Sequence, residues 1–469
     1  MARGLSPPRR RASVALASPG GSARTLGGVR AATSRVAGGR AHQTGRMSDA
    51  ARHEPVWHVR APQGWLNDPN GIGRWDGRWH VMYQWNPHGT VWGDIHWGHA
   101  SSVDLLRWEH EPVALAPRPG TVDAGGAWSG VAVHDAGDVA LLYSAVRDAA
   151  DTRTAGVAVA RRGPDGRWVQ PDRLAAPHPD VPGLVDVRDP FLLTVDGRRL
   201  GIQGAGTPDG GAVVVYGVDD LDDWRLLGTL VAGPDLAPGL DAPGHVWECP
   251  QLVAVRDRWV LLVSWFERGD GPERFGVTAY TGLLDVTGDV PRFVAEVATP
   301  FDLGPDLYAP QALVTDDRVL LWGWSWETRD GTRTADEIAS AGWAGLLTCP
   351  RELALTADGR AVMRPAAELA ALRAEPLGVA DGVLMTDEPA WRVAASGGLA
   401  VDLVDDDGDV VDVWSTRGPV ELLADGSLLE AFEPAVGSTT RRVYRRPGQR
   451  WRVRAAGDVA AHVLRVPSP

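Results

Sequence analysis

Short apolar runs bounded by turn residues recur along the chain, and they restrict its fold more than any other feature. The runs are rich in Val, Leu, Trp and Tyr, as in VALLYSAV from residue 139, RWVLLVSWF from 258 and RVLLWGWSW from 318. Asp-Gly, Gly-Asp and Pro-Gly pairs separate them about every ten residues, as in chains built from hairpins. Because helical periodicity is hard to find before residue 365, we predict a nearly all-β chain.

A loose repeat of about sixty residues organises these runs. Segments that begin near residues 65, 125, 185, 245 and 305 each open with a polar or glycine-rich loop and continue into two or three strands. Small sheets that cannot bury both faces alone can do so against neighbours around an axis. The repeat therefore predicts a five-bladed β-propeller over residues 50–362.

The pattern of short strand-like runs is interrupted after the fifth segment. RPAAELAALRAEP has Pro365 at a helix start and Pro376 beyond its end, which predicts a linker helix over residues 363–376. Strand-like runs then resume, so a smaller β-sandwich is predicted over 377–469.

Residues 1–46 carry nine Arg and no acidic residue, and they lack the apolar core of a secretory signal. A transit peptide and a basic nucleic-acid arm are alternatives. We expect a disordered or mis-assigned extension, with Met47 opening the folded protein.

Charge and cysteine content narrow the function classes. The net charge is −13 overall and about −22 on residues 47–469, which disfavours a nucleic-acid partner. Cys249 and Cys349 are the only cysteines, too few for a disulfide framework or a thiolate metal cluster. Since no apolar stretch approaches 18 residues, we expect no membrane span. These features predict a soluble cytoplasmic protein, as a monomer or homodimer.

Three acidic motifs stand at the heads of separate repeat units: WLNDPNG with Asp68, DVRDPF with Asp189 and WECPQ with Glu248. Equivalent loops of a propeller converge on its axis, so these carboxylates can share one pocket. One carboxylate could then attack a sugar, another donate a proton and the third stabilise positive charge. Each motif alone is equally typical of a plain turn.

Tryptophan is unusually frequent, with 21 Trp against 6 Phe and 6 Tyr, and many lie beside the acidic motifs. Indole faces stack on the apolar faces of sugar rings. The alternative is that they fill the cores between blades. The composition therefore favours a carbohydrate partner.

Nine motifs in order carry a family resemblance: GWLNDPNG, MYQWNP, WGDIHWGHASSVDLLRW, WSG, VRDP, WECP, LYAPQ, LLWGWSWE and GWAGLLTCPREL. Over residues 55 to 375 the chain resembles glycoside hydrolase family 32, the invertase, levanase and inulinase group. The resemblance implies a five-bladed propeller followed by a β-sandwich, a retaining mechanism on β-D-fructofuranosides, and no cofactor.

The resemblance also implies roles for individual residues. Asp68 matches the nucleophile, Asp189 the transition-state stabiliser and Glu248 the general acid/base, whose pKa we expect to be raised. Arg188 is expected to partner Asp189 and to reach the sugar or Glu248. The other positions that match the fructose pocket are Asn67, Gln84, Trp92, Trp128, Ser129, Tyr308 and Trp324.

Some residues invite other interpretations. His96 and His99 suggest a metal, but the family pattern places them in a strand, so packing is expected and no metal is predicted. Gln251 follows WECP where an acidic or amide residue is expected, and Trp128 replaces the usual Phe before Ser-Gly. We expect both of these positions near the pocket rim.

The predicted activity is release of terminal β-D-fructofuranosyl units from sucrose or related fructosides through a covalent fructosyl-enzyme. A transfructosylase or a sucrose 6-phosphate hydrolase could use the same site. A non-catalytic fructan-binding propeller is a distant alternative. The arabinanases and β-xylosidases use a similar acidic triad but lack the WLNDPNG and WGHASSVDLLRW stretches.

Overall fold

Strands dominate the folded chain, and the prediction of an all-β protein is confirmed. The computed structural model describes residues 52–267, 273–327 and 332–468, so the predicted extension 1–46 lies outside the described residues. Within those ranges, strands β1 to β33 are numbered in chain order, and the α-helix Ala335–Ala341 and three short 3-10 helices accompany them. No helix in these ranges is long and apolar enough to cross a membrane.

The first 23 strands form four sheets. Their bounds are β1 Gly64–Trp75, β2 Arg78–Asn86, β3 His96–Ser102, β4 Glu109–Leu115, β5 Gly126–Asp135, β6 Asp138–Val146, β7 Ala155–Arg162, β8 Trp168–Val169, β9 Ala176–Pro177, β10 Val185–Val195, β11 Arg198–Thr207, β12 Gly210–Asp220, β13 Asp223–Ala232, β14 Val246–Val255, β15 Arg258–Glu267, β16 Arg274–Asp285, β17 Arg292–Pro300, β18 Leu307–Val314, β19 Val319–Ser325, β20 Trp343–Ala344, β21 Leu346–Leu347, β22 Arg351–Leu355 and β23 Ala361–Pro365.

The remaining strands form two further sheets. They are β24 Arg373–Pro376, β25 Val383–Thr386, β26 Ala390–Ala395, β27 Leu399–Val404, β28 Val410–Thr416, β29 Val420–Asp425, β30 Leu428–Glu433, β31 Gly437–Arg442, β32 Arg450–Ala455 and β33 Val459–Leu464. The 3-10 helices span Thr152–Thr154, Gly233–Asp235 and Ala367–Leu372, and the α-helix, α1, spans Ala335–Ala341.

Strands that follow one another in the chain are mostly neighbours in the first four sheets. The orders are β20-β1-β2-β3-β4, β5-β6-β7-β8, β13-β12-β11-β14-β15-β16-β17 and β18-β19-β22-β23, with β9, β10 and β21 paired off these paths. The eight-stranded sheet combines two consecutive groups, β10 to β13 and β14 to β17. A single pair, Gly206 with Val246, joins those groups. The repeat seen in the sequence thus corresponds to successive antiparallel meanders.

Five strands, one from each meander, surround a common axis. Strands β1, β5, β10, β14 and β18 contact one another in that cyclic order, and β18 contacts β1. Each strand has a register shift at an equivalent place, namely Leu66 to Pro69, Trp128 to Gly130, Arg188 to Phe191, Glu248 to Gln251 and Tyr308 to Gln311. All five strands line one small cavity of about 10 Å³. A bulge next to the axis is therefore repeated in every inner strand.

Buried amide side chains tie neighbouring inner strands together. Asn70 Oδ1 accepts a hydrogen bond from the Gly130 N–H at 3.0 Å. Gln251 Oε1 accepts from the Ala312 N–H at 3.0 Å, and Gln311 Oε1 accepts from the next inner strand, β1. Because Gln251 is 3% exposed and bonds β18, the expectation that it lies at the pocket rim is wrong. A buried amide is tolerated here because its partners satisfy it.

The last two sheets share one apolar core. Their orders are β24-β33-β26-β29-β30-β31 and β25-β32-β27-β28. Residues of both sheets fill this core, and its largest members, Trp391 and Trp451, meet edge to face at 5.6 Å.

A buried ionic cluster connects the start of the described chain to these last sheets. Asp425 accepts hydrogen bonds from the backbone N–H groups of residues 56–58. The His58 ring lies between Asp425 and Glu430, at 2.7 Å from each carboxylate. Arg351 donates to the other oxygen of Glu430 at 2.6 Å. Each charge is paired, which buried charges require.

The segment predicted as a linker helix, 363–376, differs from the prediction. Only Ala367–Leu372 is helical, as a 3-10 helix between β23 and β24, and no side chain caps its N-terminus. Leu369 and Leu372 are its buried residues, and a spacing of three matches the 3-10 repeat. Helix α1 was not predicted, although Thr334 and Glu337 form a capping box before it.

Candidate active site

Ten positions, two from each inner strand, lie at the equivalent bulges. The first of each pair is Asn67, Trp128, Arg188, Glu248 or Tyr308, and the second is Asp68, Ser129, Asp189, Cys249 or Ala309. Eight of the eleven predicted site residues occupy these positions, whereas Gln84, Trp92 and Trp324 come from other segments. The fold therefore brings together residues that are about sixty positions apart.

The backbone at the second position of a pair is strained in three strands. Asp189, Cys249 and Ala309 have φ values of 64°, 48° and 44°, in the left-handed region that side chains with a Cβ rarely adopt. Such strain persists only where the surrounding structure enforces it, and it clusters at functional sites.

Asp68 is held through one carboxylate oxygen. Ser129 Oγ donates to its Oδ2 at 2.6 Å, and Gln84 Nε2 donates to the same oxygen at 3.2 Å. Burial raises the pKa of Asp68, the nearby Glu248 carboxylate also raises it, and the hydrogen bonds from Ser129 and Asn67 oppose the rise. The two donors fix the orientation of the carboxyl group.

Asp189 is bound by the backbone of the next inner strand. The Cys249 N–H donates to Asp189 Oδ2 at 3.0 Å, and the Asp189 N–H donates to Ser144 Oγ at 2.8 Å. Burial and the neighbouring carboxylates raise the pKa of Asp189 to about 7, although Arg188 opposes the rise. Arg188 lies 3.9 Å from its Oδ2.

Glu248 accepts from two donors, one at each oxygen. Arg188 Nη2 donates to Oε1 and the Tyr308 hydroxyl donates to Oε2, both at 2.5 Å. Burial lowers the pKa of Arg188, but the carboxylates of Glu248 and its neighbours outweigh burial and raise it, so this guanidinium stays charged. Arg188 thus contacts Glu248 more closely than Asp189.

The remaining polar residue predicted for the pocket, Asn67, accepts from Trp65 Nε1 at 3.0 Å. Three buried polar atoms of the predicted site residues have no hydrogen-bond partner within the described residues, namely Gln84 Oε1, Trp128 Nε1 and Trp324 Nε1. Buried polar atoms are normally paired, so each needs an explanation. Sugar hydroxyls could supply the missing partners.

Aromatic rings surround these polar groups. Trp92 is 47% exposed and meets the buried Trp128 edge to face at 5.4 Å. Trp324 is buried and meets Trp65 edge to face at 5.4 Å. With 8% exposure, Trp128 lies deeper than the rim position that the sequence predicts.

Two residues of the site were not identified from the sequence. Cys249 Sγ lies 3.6 Å from Asp68 Oδ2 and 3.6 Å from Asp189 Oδ2, so its thiol bridges the two aspartates. Its pKa is raised well above the usual range, by burial first and then by the surrounding carboxylates. The second residue that was not identified is Ser144, whose Oγ accepts from the Asp189 N–H. The equivalence of Cys249 with Asp68 and Asp189 along the repeat was the available signal for Cys249.

His96 and His99 have different partners. His99 Nε2 lies 2.9 Å from Nδ1 of the buried His80. His96 Nδ1 lies 2.7 Å from the backbone oxygen of Asp94. The two rings therefore do not form one ligand set.

The site contains three carboxyl groups with different partners. Ser129 and Gln84 orient Asp68, while Arg188 and Tyr308 donate to Glu248. Asp189 accepts from the backbone N–H of Cys249. That combination fits acid-assisted cleavage of a glycosidic bond. A family model described as glycosyl hydrolases family 32 N-terminal domain matches residues 58–365. The chain belongs to glycoside hydrolase family 32.

Curated relatives agree with this membership. The family 32 chain is 37% identical over 341 residues to the sucrose-6-phosphate hydrolase of Klebsiella pneumoniae, with 70% of each chain covered. It is 32% identical over 337 residues to the raffinose invertase of Escherichia coli, covering 68% of this chain and 66% of that enzyme. The matches thus span about two thirds of these relatives' lengths.

Solved structures extend the likeness over most of the family 32 chain. The β-fructofuranosidase BmSUC1 of Bombyx mori is 26% identical with a TM-score of 0.73, and 89% of this chain and 95% of that chain are covered. A point mutant of the same Bombyx mori enzyme, in complex with sucrose, is 25% identical with a TM-score of 0.72, at the same coverage. The sucrose-6-phosphate hydrolase of Lactobacillus gasseri shares the fold, with a TM-score of 0.74 at 23% identity over 89% of this chain and 95% of that one.

Proposed function

We propose that this chain is a retaining β-fructofuranosidase that releases terminal fructosyl units from sucrose or related β-fructofuranosides. Hydrolysis of fructosides is the activity of its family, to which the sequence match assigns it. The observation that carries the assignment of residues is the joint placement of Asp68, Asp189 and Glu248. Cys249 contacts both aspartates and follows Glu248 directly in the chain.

In the first step, Asp68 attacks the anomeric carbon of the fructosyl ring while Glu248 protonates the departing glycosidic oxygen. The new C–O bond replaces the glycosidic bond, and the released sugar keeps the proton from Glu248. Ser129 and Gln84 support the attack because they hold Asp68 by one oxygen.

In the second step, ionised Glu248 takes a proton from water, and that water displaces Asp68 from the fructosyl carbon. Arg188 and Tyr308 keep the Glu248 carboxylate in place for both steps. Asp189 binds ring hydroxyls and opposes the positive charge that develops on the ring. The two displacements together retain the anomeric configuration.

We also propose the finer architecture. Residues 50–362 form five blades, of which the eight-stranded sheet contributes two, and residues 377–469 form a β-sandwich. The cyclic contacts of the five inner strands and their equivalent bulges support this count. A cytoplasmic location is part of the proposal and is supported by the two free, buried cysteines.

A second substrate is favoured by the relatives. Several of them are sucrose-6-phosphate hydrolases, including the one from Klebsiella pneumoniae. A preference for the phosphorylated sugar would appear as a higher kcat/KM on sucrose 6-phosphate than on sucrose. The same site could also transfer the fructosyl group to a sugar acceptor instead of water.

The test is product analysis with sucrose, sucrose 6-phosphate, inulin and levan at equal enzyme concentration. We expect equimolar glucose and fructose from sucrose, equimolar glucose 6-phosphate and fructose from sucrose 6-phosphate, and fructose from inulin or levan. Longer oligosaccharides would indicate transfer. Methanol added as acceptor should yield the β-methyl fructofuranoside if configuration is retained.

Asp68→Asn should lower kcat by roughly 10³-fold or more, since it removes the nucleophile. Asp209→Asn is the matched control, because Asp209 is exposed in the turn between β11 and β12. No turnover of any of the four sugars by the wild type would favour a fructan-binding protein instead. Equal activity of Asp68→Asn and wild type would reject the assigned nucleophile.

A further inference from the structure

The loop between β2 and β3, with the first residue of β3, gathers three side chains that can ligate a metal. Ligand atoms of His88, Asp94 and His96 all lie within 4.8 Å of one another. His88 Nε2 is 3.4 Å from Asp94 Oδ2, and the rings of His88 and His96 have their centroids 5.9 Å apart. The side chains of His88 and Asp94 are 71% and 50% exposed, so an ion can reach them from solvent.

The distance between His88 and Asp94 matches a tetrahedral site. Zn²⁺ binds imidazole nitrogen and carboxylate oxygen at about 2.0–2.1 Å, which places two tetrahedral ligand atoms about 3.3 Å apart. The separation of 3.4 Å between His88 Nε2 and Asp94 Oδ2 needs little adjustment.

His96 is already oriented as a ligand. Its Nδ1 lies 2.7 Å from the backbone oxygen of Asp94. Because a carbonyl oxygen can only accept, Nδ1 carries the proton and Nε2 keeps a free lone pair. A hydrogen bond of this kind fixes the tautomer and orientation of metal-bound histidines.

The loop is also shaped before any ion binds. Asn86 Nδ2 donates to the Val91 oxygen at 2.9 Å, and Asn86 Oδ1 accepts from the His88 N–H at 2.9 Å. These bonds hold the start and middle of the loop together, so binding an ion would cost less ordering of the chain.

We propose that His88, Asp94 and His96 form a binding site for a divalent transition metal of the Zn²⁺ class, with water completing the coordination. The site is separate from the three acidic residues of the proposed mechanism, and hydrolysis does not need it. His99, which the sequence pairs with His96, is not a member.

The position of the site gives the ion a structural consequence. Trp92 lies between the proposed ligands in sequence and meets Trp128 edge to face. Trp128 precedes Ser129, which donates to Asp68. A metal joining His88 to Asp94 and His96 would close the loop around Trp92 and restrict this exposed ring beside Trp128.

Isothermal titration of the untagged, metal-free full chain with ZnCl₂ tests the site. We expect one site per chain with affinity in the micromolar range or tighter. His88→Ala and His96→Ala should each weaken binding roughly tenfold or more, since each removes a ligand. His134→Ala is the control, because His134 is exposed but lies outside the cluster.

Circular dichroism should show equal folding of all variants, since His88 lies in an exposed loop and His96 is the part-exposed first residue of β3. Absence of Zn²⁺ binding by the wild type at 100 µM would overturn the proposal. Equal binding by His88→Ala, His96→Ala and His134→Ala would also overturn it, because it would place the ion elsewhere.

A kinetic measurement tests the link to Trp92 and rests on the proposed function. Zn²⁺ should change KM for sucrose at least twofold in the wild type and in His134→Ala, with a smaller change in kcat. The effect should disappear in His88→Ala. Binding without any change in KM would overturn the link to Trp92. Absence of turnover of all four sugars would contradict the proposed function and leave the titration to decide the metal site.

Discussion

At the scale of single residues, Asp189 combines a left-handed backbone with a carboxyl group whose burial costs stability. Its folded pKa is about 7 against an ordinary value of 3.8. A carboxyl group with a raised folded pKa destabilises the folded state fully above about pH 7, and this cost disappears as the pH falls toward 4. Ionisation of the buried Asp189 at neutral pH therefore lowers the free energy of unfolding.

Asp189→Asn should stabilise the protein while abolishing most turnover. Asn tolerates the φ of 64° and can still accept from the Cys249 N–H, so the backbone should be retained. The gain in unfolding free energy should be roughly 2–4 kcal/mol at pH 8 and should approach zero near pH 4. Thermal unfolding across this pH range measures it, with Asp209→Asn as control. A lower Tm than wild type at pH 8 would contradict the prediction.

Single residues were predictable where the repeat carried a chemical group beside a turn residue. Asp68 and Asp189 both precede a proline, and each stands at the head of a separate repeat unit. Ser144 did not stand out, because its contact with the Asp189 N–H joins residues 45 positions apart on different strands. Nothing in an isolated Tyr-Ser-Ala run indicates such a partner.

At the scale of elements, the spacing of the bulges in the inner strands was visible in the sequence, but the packing contacts around them were not. Pro69, Pro190, Pro250 and Pro310 recur at intervals near sixty, but Gly130 takes this position in β5. A Cβ on Gly130 would come within 1.9 Å of the Leu142 oxygen, so close packing requires glycine there. The period was visible in the sequence, whereas the close packing of β5 against β6 depends on such contacts.

Gln311→Leu should destabilise the ring of inner strands. Gln311 is 4% exposed and makes three hydrogen bonds, with the Ile72 N–H and with the oxygens of Pro69 and Gly130. Leucine has a similar volume but leaves these buried groups unpaired, at a cost of about 2–4 kcal/mol. Urea unfolding measures the loss.

The exposed Gln63 provides the comparison for this substitution. It makes one side-chain hydrogen bond, to the Pro87 oxygen. Gln63→Leu should change the unfolding free energy by less than about 0.5 kcal/mol. Equal effects of the two substitutions would show that the central amide does not stabilise the ring.

At the scale of the whole molecule, the cluster around Glu430 makes stability depend on pH at both ends. Burial would lower the pKa of His58, but the carboxylates of Glu430 and Asp425 outweigh it and raise this pKa to about 9. Burial would raise the pKa of Glu430, but Arg351 and His58 lower it to about 2. The stabilisation from His58 is complete below pH 6.5 and is lost as the pH rises through 9. That from Glu430 is complete above pH 4.5 and is lost as the pH falls through 2.

His58→Gln should lower Tm at pH 6 and flatten its fall between pH 6.5 and 9.5. The wild type should lose up to about 3 kcal/mol over that range through His58. Differential scanning calorimetry at several pH values compares the two, and the exposed His134→Gln serves as control. The same slope in wild type and His58→Gln would show that His58 is not the titrating group.

The parallel pairing of β20 with β1 has a consequence for how the protein is made. Gly64 and Trp65 pair with Trp343 and Ala344, and residues 56–58 are bonded to Asp425. A ribosome has therefore synthesised Asp68, Asp189 and Glu248 long before the partners that close the ring emerge. During that interval β1 lacks the partner strand β20 at its edge. Catalytic competence should arise only near the end of translation, so truncated nascent chains would contain all three proposed catalytic carboxylates and still be inactive.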